Sequence, residues 1–210
     1  MDRLILIRHG ETPYNARGLM NPDSKLEAPL STAGEQAVRR LARSLGPEAI
    51  DLVATSPRHR ALRTAELLAA GRDVPVSTLD ELAEIGAGSF EGGPVAAFQE
   101  WVRTGPADAA PPGGESVLAA GGRYLDAARS LGARAEPNVV AVTHNLPMRM
   151  LVNAAGGNDP LAGPLQRVPH ATRADLSAAE LAVARATLEA WLEAATPEAR
   201  PAGAGRCGRA

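Results

Sequence analysis

Cysteine is almost missing from this chain of 210 residues, with Cys207 the only one. A disulfide within the chain is impossible, and a cysteine-rich metal site is excluded. Aromatic side chains are scarce at 3%, so a core must come from Leu, Val, Ala and Ile, which the 45% hydrophobic content supplies. The net charge is only −2. No global field therefore gathers nucleic acid, and any anion binding must be local. Long apolar runs are absent too, which argues against a membrane span. Leu4–Ile7 is too short for the hydrophobic segment of a signal peptide and is closed by Arg8. The expectation is a cytoplasmic protein without membrane or nucleic-acid partners. Lysine is as rare as cysteine: Lys25 stands alone, so 21 of the 22 basic residues are arginine.

What is present is a pair of histidines at two strand ends. The run Leu4-Ile5-Leu6-Ile7 leads into Arg8-His9-Gly10-Glu11-Thr12, and Val139-Val140-Ala141-Val142-Thr143 leads into His144. In an open parallel α/β sheet, ligands bind beyond the carboxyl ends of the strands. A neutral imidazole can attack phosphorus, and arginines beside it can hold the phosphoryl oxygens. Neighbours on a strand point to opposite faces, so Arg8 and His9 converge only if the strand has ended by His9. Gly10 permits that turn.

Further blocks follow in order. Ser56-Pro57-Arg58-His59-Arg60-Ala61-Leu62-Arg63-Thr64-Ala65 comes after the apolar segment Asp51–Thr55. Leu82-Ala83-Glu84-Ile85 leads to Gly88-Ser89-Phe90-Glu91-Gly92, and Pro112-Gly113-Gly114-Glu115-Ser116 precedes the His144 segment. Pro29-Leu30-Ser31 is followed by Gly34, Gln36 and Ala37. With the opening block that ends at Asn15, this series resembles the histidine phosphatase superfamily, also called phosphoglycerate-mutase-like, from about Asp2 to Val152.

That resemblance implies roles. His9 is similar to the family's nucleophile, which becomes phosphohistidine; Arg8 and Arg60 resemble its phosphate clamps. His144 resembles the second histidine, which binds phosphate and stabilises the transition state. Glu84 resembles the proton donor to the leaving oxygen, with Glu81 as its competitor. Arg60 is preferred to Arg58, which replaces an apolar residue usual in the family. Asn145 stands where glycine is common, and asparagine tolerates unusual backbone angles. Glu11, Asn15 and Asn145 are candidate substrate contacts, and Glu11 and Asn15 serve equally well as loop-ordering residues. Glu115 either touches substrate or caps the helix after it. His59 is read as an exposed first-turn residue, Arg63 and Thr64 as helix-surface and packing residues, and His170 as structural. No metal and no cofactor is implied. The partner expected is a small phosphorylated substrate, with a homodimer left open. The functional reading is a metal-independent phosphomonoesterase of the phosphatase branch, and the alternatives are a phosphoglycerate-type mutase and a non-catalytic binder of phosphorylated ligands.

Patterning gives the architecture. Strands are expected at about Arg3–Ile7, Asp51–Thr55, Val74–Leu79 and Val139–Thr143, with an edge strand from His170 to Leu176. Helices are expected at about Thr32–Leu45, Ala61–Ala70, Pro94–Arg103, Val117–Leu131, Leu146–Ala155 and Ala178–Ala195. Thr32 with Glu35 and Ser177 with Glu180 match capping boxes, and Gly46-Pro47 and Gly71 match helix stops. The alternation predicts an α/β fold of three layers, a mainly parallel central sheet flanked by helices on both faces. Residues 1–195 form one expected domain. Residues 196–210, rich in Pro, Gly, Ala and Arg, are expected to be a disordered tail. Gly105–Gly114 is a loop placed to fold over the pocket, and Gly18–Ala28 is long for the family.

Overall fold

The computed structural model describes residues 1–22, 28–46 and 49–195; the tail, Pro47 and the middle of the 18–28 stretch lie outside them. The strands are β1 (Arg3–Arg8), β2 (Leu52–Thr55), β3 (Val76–Thr78), β4 (Asn138–Thr143) and β5 (Arg173–Ser177). The helices are α1 (Pro13–Ala16), α2 (Thr32–Ser44), α3 (His59–Ala69), α4 (Val95–Thr104), α5 (Val117–Gly132), α6 (Asn145–Ala155) and α7 (Ala178–Ala195). The sheet order is β3-β2-β4-β1-β5. The first four strands run parallel, and β5 joins the β1 edge antiparallel.

β1 and β4 read as unbroken apolar runs because both of their faces are covered. Leu4, Leu6, Leu52, Ala54, Val139 and Ala141 face a core built with α5, α6 and α7. Ile5, Ile7, Val53, Val140 and Val142 face the opposite core, built with α2 and α3. Period-two alternation thus feeds two cores from one sheet.

Several boundaries differ from the sequence expectation. The third strand is only three residues long. Helix α3 begins at His59 because Arg58, in extended conformation, is its cap residue. The cap of α2 is Ser31, not Thr32: the Ser31 hydroxyl accepts from the Gly34 amide at 3.0 Å, while Glu35 pairs with Arg63 and Arg39. The Ser177–Glu180 box forms in both directions, at 2.8 and 3.2 Å. The single turn α1 escaped the pattern because it carries no apolar stripe; Thr12 and Asn15 cap it reciprocally. The edge strand starts at Arg173, three residues later than the sequence suggests. None of residues 105–114 lines the cavity described below; Glu115, just after them, does.

Helix α2 is pressed against the segment that follows His9. A Cβ on Gly34 would sit 2.1 Å from the Glu11 carbonyl oxygen, so any side chain there must displace backbone. Gly34→Ala is expected to destabilise the protein by ~1–3 kcal/mol, the usual cost of overpacking. Urea unfolding checks this, and an unchanged midpoint would show that α2 does not pack this closely.

Candidate active site

The register of β1 with β4 builds the site. Arg8 pairs with Thr143, so His9 and His144, each one residue beyond its strand, emerge side by side. The His9 amide donates to the Thr143 carbonyl at 3.0 Å, and the two rings lie 5.0 Å apart, edge to face. β2 is in register with β4 on the other side, which places Ser56 next to His144. The Ser56 hydroxyl is hydrogen-bonded to His144 Nε2 at 2.8 Å.

Both imidazoles are buried. His9 Nδ1 lies 2.7 Å from the Gly10 carbonyl oxygen. A carbonyl can only accept, so Nδ1 carries the proton and the lone pair belongs to Nε2. Arg60, in the first turn of α3, donates from Nε to that lone pair at 3.3 Å. Arg8 closes the other side, its guanidinium donating to the Val168 carbonyl. Burial, then Arg60 and Arg8, hold the His9 imidazole well below its ordinary value of 6.5. Burial, then Arg60, His9 and the arginines at 8 and 58, hold His144 down likewise. Burial brings Arg8 down to about 10, which leaves it cationic at neutral pH.

Glu84 approaches from the segment after β3. Its carboxylate accepts from the amides of Asn145 (3.0 Å), Leu146 (3.3 Å) and Ile85 (3.2 Å). Two of these donors are the first amides of α6, where the helix dipole also favours negative charge. Burial nevertheless prevails and raises its pKa above 4.5, against the pull of Arg8, Arg60 and the backbone amides. Glu81 contributes only its carbonyl, to Arg123. Beside Glu84 opens a cavity of about 390 Å³ whose wall includes Arg58, Asp80, Glu115 and Arg123. Arg123 is bound to Glu115 at 2.6 Å and to the carbonyls of Ala83 and Glu84, so it braces the segment that carries Glu84.

The other sequence candidates lie around the site or on the surface. Asn15 accepts from the Thr12 amide at 3.2 Å, and Glu11 accepts from the Ser31 hydroxyl at 3.1 Å. Asn145 is the first residue of α6 and needs no left-handed backbone, contrary to the reason the sequence suggested for it. Its side chain instead accepts from the Val168 amide at 3.1 Å. Thr64 accepts from the Gly10 amide at 3.1 Å and so fixes the turn at His9, while Arg63 pairs with Glu35 and Glu66 on the surface. His59 is exposed at the first turn of α3, as expected.

His170, read from the sequence as structural, lies close to His9. Its ring centroid lies 5.5 Å from that of His9. Because β5 is antiparallel, its amino end reaches the rim where the other strands end, and no sequence period reports strand direction. Among the described residues no cluster of three or more His, Cys, Asp or Glu is placed to hold a metal ion. Nor is any described helix long and apolar enough to cross a membrane. The arrangement as a whole offers a neutral imidazole nitrogen, two guanidinium groups, a second imidazole and a protonatable carboxyl around one point. Such a set can hold a phosphoryl group and accept it covalently.

Residues 4–194 match the model of the histidine phosphatase superfamily, branch 1. Phosphoserine phosphatase 1 of Hydrogenobacter thermophilus is 31% identical over 172 residues, covering 76% of this chain and 78% of that protein. The alpha-ribazole phosphatase structure from Shigella flexneri superposes with a TM-score of 0.71 at 27% identity, over 82% of this chain and 89% of the other. A shorter stretch of 69 residues is 42% identical to the 2,3-bisphosphoglycerate-dependent phosphoglycerate mutase of Thermobifida fusca, covering 32% of this chain and 27% of the mutase. With its matched span running through every strand and both site histidines, the chain belongs to the histidine phosphatase superfamily.

Proposed function

We propose that this protein is a metal-independent phosphomonoesterase that works through a phosphohistidine. The observation that carries the reading is the bond from His9 Nδ1 to the Gly10 carbonyl, which leaves the Nε2 lone pair inside a cationic cradle. Nε2 attacks phosphorus, and the ester P–O bond breaks. Glu84, protonated, gives its proton to the leaving oxygen and the alcohol departs. Water then attacks the phosphorus of phosphohistidine, Glu84 takes a proton from that water, and inorganic phosphate leaves with the imidazole restored. Arg8, Arg60 and His144 hold the phosphoryl oxygens through both steps, supplying charge that a divalent ion supplies elsewhere.

The substrate is a small phosphorylated metabolite whose alcohol part occupies the cavity beside Glu84. Relatives named for phosphoserine and alpha-ribazole support hydrolysis of compact monoesters. The stretch shared with a phosphoglycerate mutase supports a second reading, phosphoryl return to a second hydroxyl in place of water. A screen of phosphorylated metabolites in EDTA, including 3-phosphoglycerate with a trace of its bisphosphate, separates the two. Phosphate release without added metal is expected, and His9→Ala should lose roughly 10⁴–10⁶ of kcat, the scale set by other covalent catalysts. Activity abolished by EDTA and restored by one metal, or a His9→Ala variant keeping a tenth of kcat, overturns the proposal.

The two arginines near the cavity are expected to separate. Arg60→Ala should lower kcat/KM by ~10²-fold or more through loss of transition-state charge stabilisation. Arg58→Ala should cost much less, and steady-state kinetics showing the reverse order would exchange their roles.

The pH profile follows from the shifts at His9 and Glu84. His9 acts when neutral; its lowered pKa keeps it neutral into the acid range, so the rise of kcat/KM with pH lies below 6.5. Glu84 acts when protonated; its raised pKa puts the fall above 4.5. A bell with its optimum on the acid side of neutrality is expected for alkyl phosphates. Glu84→Gln should lose ~10²–10⁴ on them and far less on p-nitrophenyl phosphate, whose leaving group needs little protonation. Equal losses on both substrates would remove Glu84 as proton donor.

A further inference from the structure

We propose that His170 is a third imidazole of the phosphoryl site, with its Nε2 contacting the oxygens of the group held at His9; this rests on the reading of that site as phosphoryl-binding. His170 lies outside any strand or helix, yet its segment is tied down on both sides of the site. The Val168 carbonyl receives the Arg8 guanidinium, and the Val168 amide donates to Asn145. The Ala171 amide is shared between the carbonyls of Arg8 (3.1 Å) and His9 (3.3 Å). Ala171 has a φ of 51°, the only left-handed backbone among the described non-glycine residues. Such a conformation in alanine persists only where its surroundings enforce it, and it clusters at functional sites. The tight turn it makes holds the preceding His170 ring against His9.

The ring's own contacts point the same way. His170 Nε2 is buried and has no hydrogen-bond partner in the protein. A histidine kept only for packing normally finds a partner for a buried nitrogen, and one that does not calls for another explanation. His144 Nδ1 and Arg8 Nε share that condition, and all three residues surround His9. The charged groups acting on His170 are all cationic: Arg8, Arg167 and Arg60. With burial they bring its imidazole down to about 3, so it is neutral at working pH. A neutral imidazole protonated on Nε2 presents a hydrogen-bond donor, the group an anionic phosphoryl oxygen accepts from, and the surrounding arginines favour that anion.

The test uses the full chain with inorganic phosphate and orthovanadate as probes. His170→Phe keeps a flat ring of similar size and removes both nitrogens. The phosphate dissociation constant by calorimetry and the vanadate inhibition constant are each expected to rise about tenfold, the scale of one hydrogen bond to a charged group. The melting temperature should stay close to wild type. If the larger ring is not accommodated, His170→Ala gives the same comparison. A folded variant that binds phosphate and vanadate as tightly as wild type overturns the assignment, whatever its stability, while leaving the phosphohistidine mechanism intact. A wild-type protein that binds neither anion overturns the functional reading and this inference together.

Discussion

The in-register parallel pairing of β1 with β4 is the constraint on which the site depends. Arg8 opposite Thr143 places two histidines from distant parts of the chain within 5.0 Å, ring to ring. A slip of one residue would turn each apolar side chain toward the other core and carry His9 away from His144 together. Because both faces of these strands are buried, the two cores that lock the register also lock the geometry of the site. Neighbouring strands then complete it: β2 delivers Ser56 to His144, and β5, arriving antiparallel, delivers His170 to His9.

Burial and positive charge work in one direction on the imidazoles and in opposite directions on the carboxyl. Desolvation and the arginines both keep His9 and His144 neutral, which suits a nucleophilic nitrogen. For Glu84 desolvation favours the protonated form, while Arg8, Arg60 and the amides at the start of α6 favour the charged one. The same small volume thus shifts imidazole and carboxyl in opposite directions, by environment and not by residue type.

Around this centre the turns are held by further side-chain hydrogen bonds. Thr64 secures the amide of Gly10, Asn145 secures Val168, and Arg123 braces the carbonyls flanking Glu84. Gly34 lets α2 approach the backbone of Glu11 closely enough to support the turn after His9. The cavity wall beyond Glu84 carries both signs of charge.

Sequence alone determined the elements whose signals are local. Continuous apolar runs identified β1 and β4, helical spacing identified α2 through α7, and Ser177 with Glu180 identified a cap. His9, His144, Arg8, Arg60 and Glu84 were legible because they stand at fixed offsets from strand ends and within recognisable blocks. Tertiary structure decided what depends on the partner of a segment. Strand direction at the sheet edge set the place of His170, and the packing of α2 chose Ser31 over Thr32 as its cap. The first turn of α6 gave Asn145 a bracing role in place of an unusual backbone. It also decided which nitrogen of His9 carries the proton, because the Gly10 carbonyl is set by the turn and not by the residue's identity. Local pattern encodes which side chains are available; only the assembled sheet brings them close enough for burial and charge to define their chemistry.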